Sequence, residues 1–475
     1  MSYRSLAAAL ALALVACGGD DDATDGTAVD AGPTSTGDEL VDRIAALPGV
    51  ASVDELETDI SGYRYFSIGF DQPVDHEDPD GQRFVQYLTL IHRDEHAPFI
   101  LGTTGYGNYY GDIPMEPTAL LDGNQLIIEH RSFLPSRPEP TDWSFLRVVQ
   151  GAADHHAIAE SFHQIYDGAW ISTGGSKGGM TSIYHRHLYP DDVDGTVAYV
   201  APHNQAAGDL RYDGWFDEVL PADCLQRVRD AQVDFLNNRR AALVERATAQ
   251  AEDDGVAYTR VAMGPAIESA IAGVEWAFFQ YTGVSQCDEV PGPDSTDDEA
   301  WQWLSEVNGP EGLSDEQLDF FEPYVYQAYA ELGYPSTPDD HLAGLFEFTD
   351  ADYADAEPSA LPEEFDPSAV DAAAEWVKEA AGRVLLVYGE YDPWTAGAFD
   401  LGGNAGVVRL DVPAGTHNVG ILDLEAADQV AALQLLEEWT GVAPVLPALR
   451  ARWFTMRPRE PRPPLHAWQR ARRAR

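Results

Sequence analysis

The sequence predicts an α/β fold in which a mostly parallel sheet is interrupted by a large helical cap. Three features of the chain lead to this prediction. Apolar runs of strand length alternate with helical stretches over the first part of the chain. Strand signals then disappear over residues 204–380, where helical stretches follow one another. Two further apolar runs and an amphipathic helix at 422–439 complete the pattern of a sheet with an insertion.

The sheet is predicted to begin with antiparallel strands at 63–70 and 83–91, which alternate or run apolar and are joined by a turn-rich linker. Short buried strands are expected at 99–101 and 126–128, and helical periodicity extends over 147–166.

A glycine-rich turn at 174–179 lies between a predicted strand at 169–173 and a predicted helix at 180–188. Strand, Gly-x-Ser-x-Gly and helix form the nucleophile elbow of α/β-hydrolases, so the fold class is refined to the α/β-hydrolase fold. The strained turn would expose the Ser176 hydroxyl and leave the Lys177 N–H for an oxyanion. The alternative is a glycine-rich turn with a bystander serine. A phosphate loop is disfavoured because its Gly-x-x-x-x-Gly-Lys-[Ser/Thr] motif is absent.

Two later strands are each followed by a candidate catalytic residue. The strand at 383–388 precedes Asp392, and the strand at 407–412 precedes His417. The chain order of serine, aspartate and histidine is the order of α/β-hydrolases. We therefore expect the three side chains to meet at one edge of the sheet.

Acid–base chemistry assigns the roles in this triad. His417 would take the proton of Ser176 and later protonate the leaving amine, and Asp392 would orient His417. The alternatives are an ordinary turn aspartate, with Glu390 as the acid, and a structural loop histidine.

An oxyanion hole needs a second donor, which this fold takes from the loop after the third strand. The glycine-rich loop at 102–107 is correctly placed, and the N–H of Gly105 or Tyr106 is the candidate. Lys177 is expected to contribute only its backbone N–H, because its side chain should point away from Ser176.

The charge of the chain argues against one class of partner. The chain carries 80 acidic and 29 basic residues, a net charge of -51, which argues against nucleic-acid binding.

Cys224 and Cys287 could form a disulfide or remain two buried thiols. His155, His156 and His163 share one helix, but solvated histidines are expected there rather than a metal site. No cofactor is expected.

The N-terminus has the pattern of an export signal. Arg4 precedes an apolar run at 6–16 that is too short to span a bilayer, and Cys17 follows it. This resembles the bacterial lipobox, so Cys17 is predicted to carry lipid, and a membrane-anchored lipoprotein at the bacterial cell envelope or surface is expected. The alternative is an ordinary cleaved signal peptide with a chance cysteine.

Several motifs together resemble the secreted bacterial tripeptidyl aminopeptidase family of serine peptidases and, more distantly, prolyl carboxypeptidase. They are the elbow, the strand end at 129–131, the turn at 392–394 and the loop at 415–417. The resemblance covers roughly residues 50–445. It implies a peptidase that removes short peptides from free N-termini.

An exopeptidase of this kind must recognise a free ammonium group, so an acidic anchor is expected near the pocket. Glu129 follows a strand and is one candidate, and Glu275, beside Trp276 in the cap, is the other. An ion pair of Glu129 with Arg131 or with another arginine is the structural alternative.

The prediction is thus an exported, lipid-anchored serine aminopeptidase that acts on peptides, most simply releasing tripeptides. The alternatives are an esterase or lipase with the same triad and a surface binding protein with an inactive hydrolase core. The predicted segments are a signal peptide (1–17), a tether (18–38), the first part of the core (39–203), a cap over the active site (204–380), the second part of the core (381–445) and a basic, disordered tail (446–475).

Overall fold

The protein was analysed as a computed structural model that describes residues 37–336 and 339–445. Eleven strands are assigned in this part of the chain. They are β1 (Val50–Leu56), β2 (Arg64–Pro73), β3 (Arg83–His92), β4 (Phe99–Thr103), β5 (Asn124–Ile128), β6 (Trp170–Gly175), β7 (Gly195–Tyr199), β8 (Ala207–Asp209), β9 (Tyr334–Pro335), β10 (Val384–Gly389) and β11 (Val407–Val412).

Helices surround these strands. They are α1 (Glu39–Ala45), α2 (Glu116–Leu121), α3 (Val148–Phe162), α4 (Lys177–Leu188), α5 (Trp215–Val219), α6 (Ala222–Asp234), α7 (Arg240–Asp254), α8 (Met263–Ala277), α9 (Asp297–Asn308), α10 (Asp315–Gln327), α11 (Ser368–Glu379) and α12 (Ala426–Thr440). Single π-helical turns continue α6, α8 and α10 at Phe235–Arg239, Phe278–Thr282 and Ala328–Leu332. No helix among the residues described is both long and apolar enough to cross a membrane.

Nine strands form one sheet in the order β1-β2-β3-β5-β4-β6-β7-β10-β11. The pairs from β1 to β5 are antiparallel, and those from β5 onward to β11 are parallel. Every residue of β4, β5 and β10 is buried, as expected for central strands covered on both faces. The parallel strands therefore deliver their carboxyl ends to one common edge, and the predicted α/β-hydrolase architecture is confirmed.

Two apolar cores cover the faces of the sheet. On one face Phe66, Phe99 and Phe162 pack with the residues of α1 and α3. On the other face Val387 and Leu436 belong to a core that includes α12. These cores hold the strand ends in register at the edge where the predicted site residues lie.

The segment predicted as the cap divides differently in the structure. Its last helix, α11, packs on the sheet, because Val370 and Val377 share a core with Val384 and Leu386 of β10. The segment also contains the short parallel pair β8 and β9, which the sequence did not indicate. The cap helices α5–α9 share a core that also includes Trp394, and a disulfide joins Cys224 to Cys287 with a Cα–Cα distance of 5.4 Å. Helix α10 belongs to another core, together with Tyr106 and Phe133, which lie outside the predicted cap.

Several predictions concern residues outside the described part of the chain. They are the signal peptide at 1–17, the lipid on Cys17 and the basic tail at 446–475. The predicted tether at 18–38 is described only at its end, where Asp38 caps α1 by accepting the backbone N–H groups of Leu40 and Val41.

Candidate active site

Ser176 lies in the sharp turn between β6 and α4, with φ 53° and ψ −124°. A side chain at Gly174 would place its Cβ 2.5 Å from the Thr103 oxygen, and one at Gly178 would place it 2.3 Å from the same oxygen. Only glycine therefore lets this turn approach the end of β4 so closely. The backbone N–H of Ser176 donates to the backbone oxygen of Tyr199 at 2.8 Å, which fixes the elbow to β7.

Asp392 and His417 form a hydrogen-bonded pair at the same edge of the sheet. The His417 Nδ1 lies 2.6 Å from the Asp392 Oδ2, and both side chains are buried. The other carboxylate oxygen, Oδ1, accepts the Trp394 N–H at 3.1 Å. Glu390, the rival acid, instead accepts the Ala414 N–H at 2.8 Å. Asp392 is therefore the carboxylate positioned to orient this imidazole.

The cavity beside the serine has a wall that lies against the histidine. Ser176 lines the cavity together with Gln280, Tyr281 and Trp394. The backbone N–H of His417 donates to the backbone oxygen of Gln280 at 2.7 Å. The centroid of the His417 ring lies 5.9 Å from that of Tyr281 and 6.5 Å from that of Trp394. The wall of the serine's cavity thus packs directly against the histidine.

The loop after β4 rests on the elbow. Gly105 has φ +70°, and a Cβ there would lie 2.6 Å from the Gly178 nitrogen. Among the residues described, no protein group accepts the backbone N–H of Gly105 or Lys177. The Tyr106 N–H, by contrast, donates to the Thr104 Oγ1 at 3.2 Å. Of the two predicted loop donors, Gly105 is the one whose N–H remains available to an oxyanion.

Glu129 is buried just beyond β5. Its carboxylate accepts the Asn108 N–H at 2.9 Å, the Ser136 N–H at 3.0 Å and the Ser136 hydroxyl at 2.7 Å. Burial raises the pKa of Glu129 to about 7. The predicted alternative of an ion pair with Arg131 is wrong, because the Arg131 guanidinium pairs with Asp154 at 2.6 Å.

Glu275 is also buried, but its carboxylate already has a cationic partner. It lies 3.1 Å from the Arg229 guanidinium, and the His341 Nε2 lies 3.5 Å from it. Burial raises the pKa of Glu275 to about 7, against the lowering effect of Arg229.

The expectation of solvated histidines on α3 is wrong for one residue. His155 is 1% exposed, and burial lowers its pKa to about 3. His156 bonds the Asp192 carboxylate at 2.9 Å, and the His163 Nε2 lies 3.0 Å from the Asp192 backbone oxygen. Among the residues described, no group of His, Cys, Asp and Glu side chains is arranged to hold a metal ion.

The sequence did not indicate the cap residues that complete the cavity. Gln280 and Tyr281 lie in the π-helical turn after α8, and Leu332 follows Glu331 in the turn after α10. Widened turns of this kind recur at functional sites. The only signal in the sequence is one acid, Glu331, within an otherwise apolar end of a helix.

Comparisons with known proteins agree with this geometry. A model of the PS-10 peptidase S37 family matches residues 34–452. The chain is 36% identical over 424 residues to the prolyl tri/tetrapeptidyl aminopeptidase of Streptomyces mobaraensis, and the match covers 88% of each chain.

Solved structures of more distant proteins also match. The proline iminopeptidase of Mycobacterium smegmatis is 13% identical, with a TM-score of 0.35 over 78% of this chain and 98% of its own. The homoserine O-acetyltransferase of Staphylococcus aureus is 12% identical, with a TM-score of 0.38 over 83% of this chain and 99% of its own. The family match and the match to the Streptomyces peptidase are much stronger than these structural matches. They show that the chain belongs to the PS-10 peptidase S37 family of serine peptidases.

Proposed function

We propose that the protein is an aminopeptidase that releases tripeptides from free N-termini, with Ser176, Asp392 and His417 as its triad. The observation that carries the proposal is the buried hydrogen bond between Asp392 and His417 behind a cavity that Ser176 lines. An acid, a base and a nucleophile at the carboxyl ends of parallel strands in one sheet suit acyl transfer.

In the proposed reaction Ser176 Oγ attacks the scissile carbonyl carbon while its proton passes to His417 Nε2. The backbone N–H groups of Lys177 and Gly105 receive the negative charge that forms on the carbonyl oxygen. His417 then gives the proton to the leaving amine, which departs as the peptide bond breaks. Water attacks the acyl-serine by the same route and frees the N-terminal tripeptide.

Glu129 is the better supported anchor for the substrate ammonium. Among the residues described, no cationic side chain pairs with its carboxylate, whereas Glu275 is held by Arg229. The Glu129 Oε2 also lies beside the loop after β4, since a Cβ on Gly107 would be 3.7 Å from it. A carboxylate next to the loop that faces the nucleophile suits an N-terminus lying a few residues from the cleaved bond.

The cavity also supports a preference for proline at the residue that carries the scissile carbonyl. Tyr106, Tyr281, Tyr324 and Trp394 line it. Flat aromatic faces pack well on a compact apolar ring. The Streptomyces relative is named as a prolyl peptidase, and its name also covers tetrapeptides, so release of tetrapeptides is a related outcome.

Purified protein should be tested on peptidyl-coumarin substrates with free and acetylated N-termini, with and without proline before the coumarin. Cleavage restricted to free tripeptidyl substrates supports the proposal. Cleavage of nitrophenyl esters alone would favour an esterase. Absence of both turnover and fluorophosphonate labelling would favour an inactive binding protein.

We also propose export and lipid anchoring through Cys17, which the apolar run at 6–16 and the neighbouring small residues support. Expression in a bacterium fed an alkyne-labelled fatty acid should label the full chain. Loss of the label on Cys17→Ala is expected. Equal labelling of that variant would contradict the anchor.

A further inference from the structure

The side chain of Lys177 does not extend into solvent. It turns back to the loop after β4, where its Nζ donates to the Gly105 oxygen at 2.6 Å. Lys177 is 3% exposed, so the ammonium is held inside the protein next to the nucleophile.

Two aromatic rings flank the ammonium. The Nζ lies 5.7 Å from the ring centroid of Tyr106 and 5.9 Å from that of Phe133. Rings at this distance attract a cation and replace part of the hydration that burial removes. The cation therefore has a built site, formed by one carbonyl oxygen and two rings.

The contact joins the two halves of the predicted oxyanion hole. Lys177 carries one donor N–H on its backbone, and Gly105 carries the other. The Gly105 carbonyl shares its peptide unit with the Tyr106 N–H, which donates to the Thr104 Oγ1 at 3.2 Å. The charge-assisted hydrogen bond from the Nζ is a second constraint on that unit, and it restricts a glycine with φ +70° whose own N–H is the proposed donor.

We infer that Lys177 is a positioning residue, whose ammonium fixes the Gly105 carbonyl and thereby aligns the backbone donors of the oxyanion hole. The inference rests on the proposed triad and oxyanion hole. The ammonium also adds positive charge close to the oxygen on which negative charge develops. It does not act as a base, because its hydrogen bond is to the loop.

The surroundings make this role dependent on pH. Burial lowers the pKa of Lys177 to about 7, while the Glu331 carboxylate favours the cation. Burial lowers the pKa of His130 and of His155, and the charge of Lys177 lowers both further. Tyr106, Tyr184, Tyr281 and Tyr324 are the other titratable groups of two cavities that Lys177 lines, and burial raises the pKa of Tyr184 and Tyr324. The value of kcat should therefore fall as the pH rises through about 7 and the ammonium is lost.

The decisive comparison separates the transition state from the ground state. A tripeptide aldehyde forms a tetrahedral adduct with the serine and uses the oxyanion hole, whereas the matching tripeptide alcohol has no carbonyl and forms no adduct. Lys177→Met should lower kcat/KM and aldehyde affinity in parallel, by about 10- to 100-fold, and leave the affinity for the alcohol unchanged. Unchanged aldehyde affinity, or an equal loss for both ligands, would overturn the inference.

A second variant tests the inference independently if the Lys177→Met protein does not fold. Glu331→Gln keeps an oxygen for the Val148 N–H, which Glu331 accepts at 2.6 Å, but removes the charge that favours the cation. The alkaline limb of kcat should move to lower pH, and an unmoved limb would contradict the inference. Failure of the proposed function is distinguishable, because the wild-type protein would then show neither peptide turnover nor fluorophosphonate labelling.

Discussion

The sheet edge and the cap place their functional side chains by different means. At the sheet edge, the three residues of the proposed triad, Ser176, Asp392 and His417, each follow a parallel strand, so the fold places them at one edge. In the cap, Gln280 and Tyr281 reach the cavity from a π-helical turn. The difference teaches that the chemistry of this peptidase is carried by short local motifs, whereas the shape of its substrate site depends on how distant helices pack.

The largest loss of turnover should come from a substitution at the sheet edge. Ser176→Ala removes the nucleophile, and turnover should fall by about 10⁴- to 10⁶-fold. The melting temperature should stay close to that of the wild type, because the strained turn and its glycines remain. Fluorophosphonate labelling should be lost, and labelling that persists would show that another residue is the nucleophile.

A matched pair of acids sharpens the assignment at the same edge. Asp392→Asn should lower kcat by about 10⁴-fold, because the amide no longer holds the required tautomer of His417. Glu390→Gln should change kcat little, since Glu390 bonds the Ala414 N–H instead. The reverse ranking of the two variants would move the acid to Glu390.

A third prediction tests whether the substrate ammonium is bound beside the sheet or in the cap. Glu129→Gln should lower kcat/KM for a free tripeptidyl substrate by about 10- to 100-fold, because the ammonium loses its counter-charge. The substrate with an acetylated N-terminus and the Glu275→Gln variant are the controls. A larger loss in Glu275→Gln than in Glu129→Gln would move the anchor into the cap.

The same anchor predicts a dependence on pH. Burial raises the pKa of Glu129 to about 7, so the carboxylate becomes charged as the pH rises through that value. KM for the free tripeptidyl substrate should fall over this range while the substrate amine remains protonated. A KM that is flat with pH would argue against Glu129 as the anchor.

The smallest effect on chemistry should come from the cap's covalent link. The disulfide of Cys224 and Cys287 closes a loop with a sequence separation of 63 residues. Replacing both cysteines by serine should lower the free energy of unfolding by about 4 kcal/mol. Denaturant titration measures this loss, and kcat at 25 °C should stay near the wild-type value. A large fall in kcat would mean that the link also shapes the cavity.

Sequence reasoning was strongest where one local motif fixes one backbone conformation. The elbow at Ser176 could be identified because its turn requires glycines, and the later strands could be identified from their apolar runs. It was weaker where a side chain's partner is far away in the sequence. Arg131 was paired with Glu129 as an alternative, but its partner Asp154 lies on α3.

The limits of the cap were missed for a related reason. α11 has an amphipathic pattern that would fit either the cap or the core, and only the packing of Val370 and Val377 against β10 decides between them. The side chain of Lys177 was expected to point away from Ser176, and nothing in the sequence indicated that it would return to the loop at Gly105.

The π-helical turns bear on how the family could diversify. In two of the three turns a glycine backbone N–H bonds a backbone oxygen five residues earlier, from Gly283 to Phe278 and from Gly333 to Ala328. Such a turn holds one residue more than an ordinary helical turn. Deleting that residue would rotate Tyr281 or Leu332 by about a quarter turn while the helix before it stays intact. Single-residue insertions and deletions at these two places would thus provide a route to new peptide preferences, provided that the Gln280 oxygen still accepts the backbone N–H of His417.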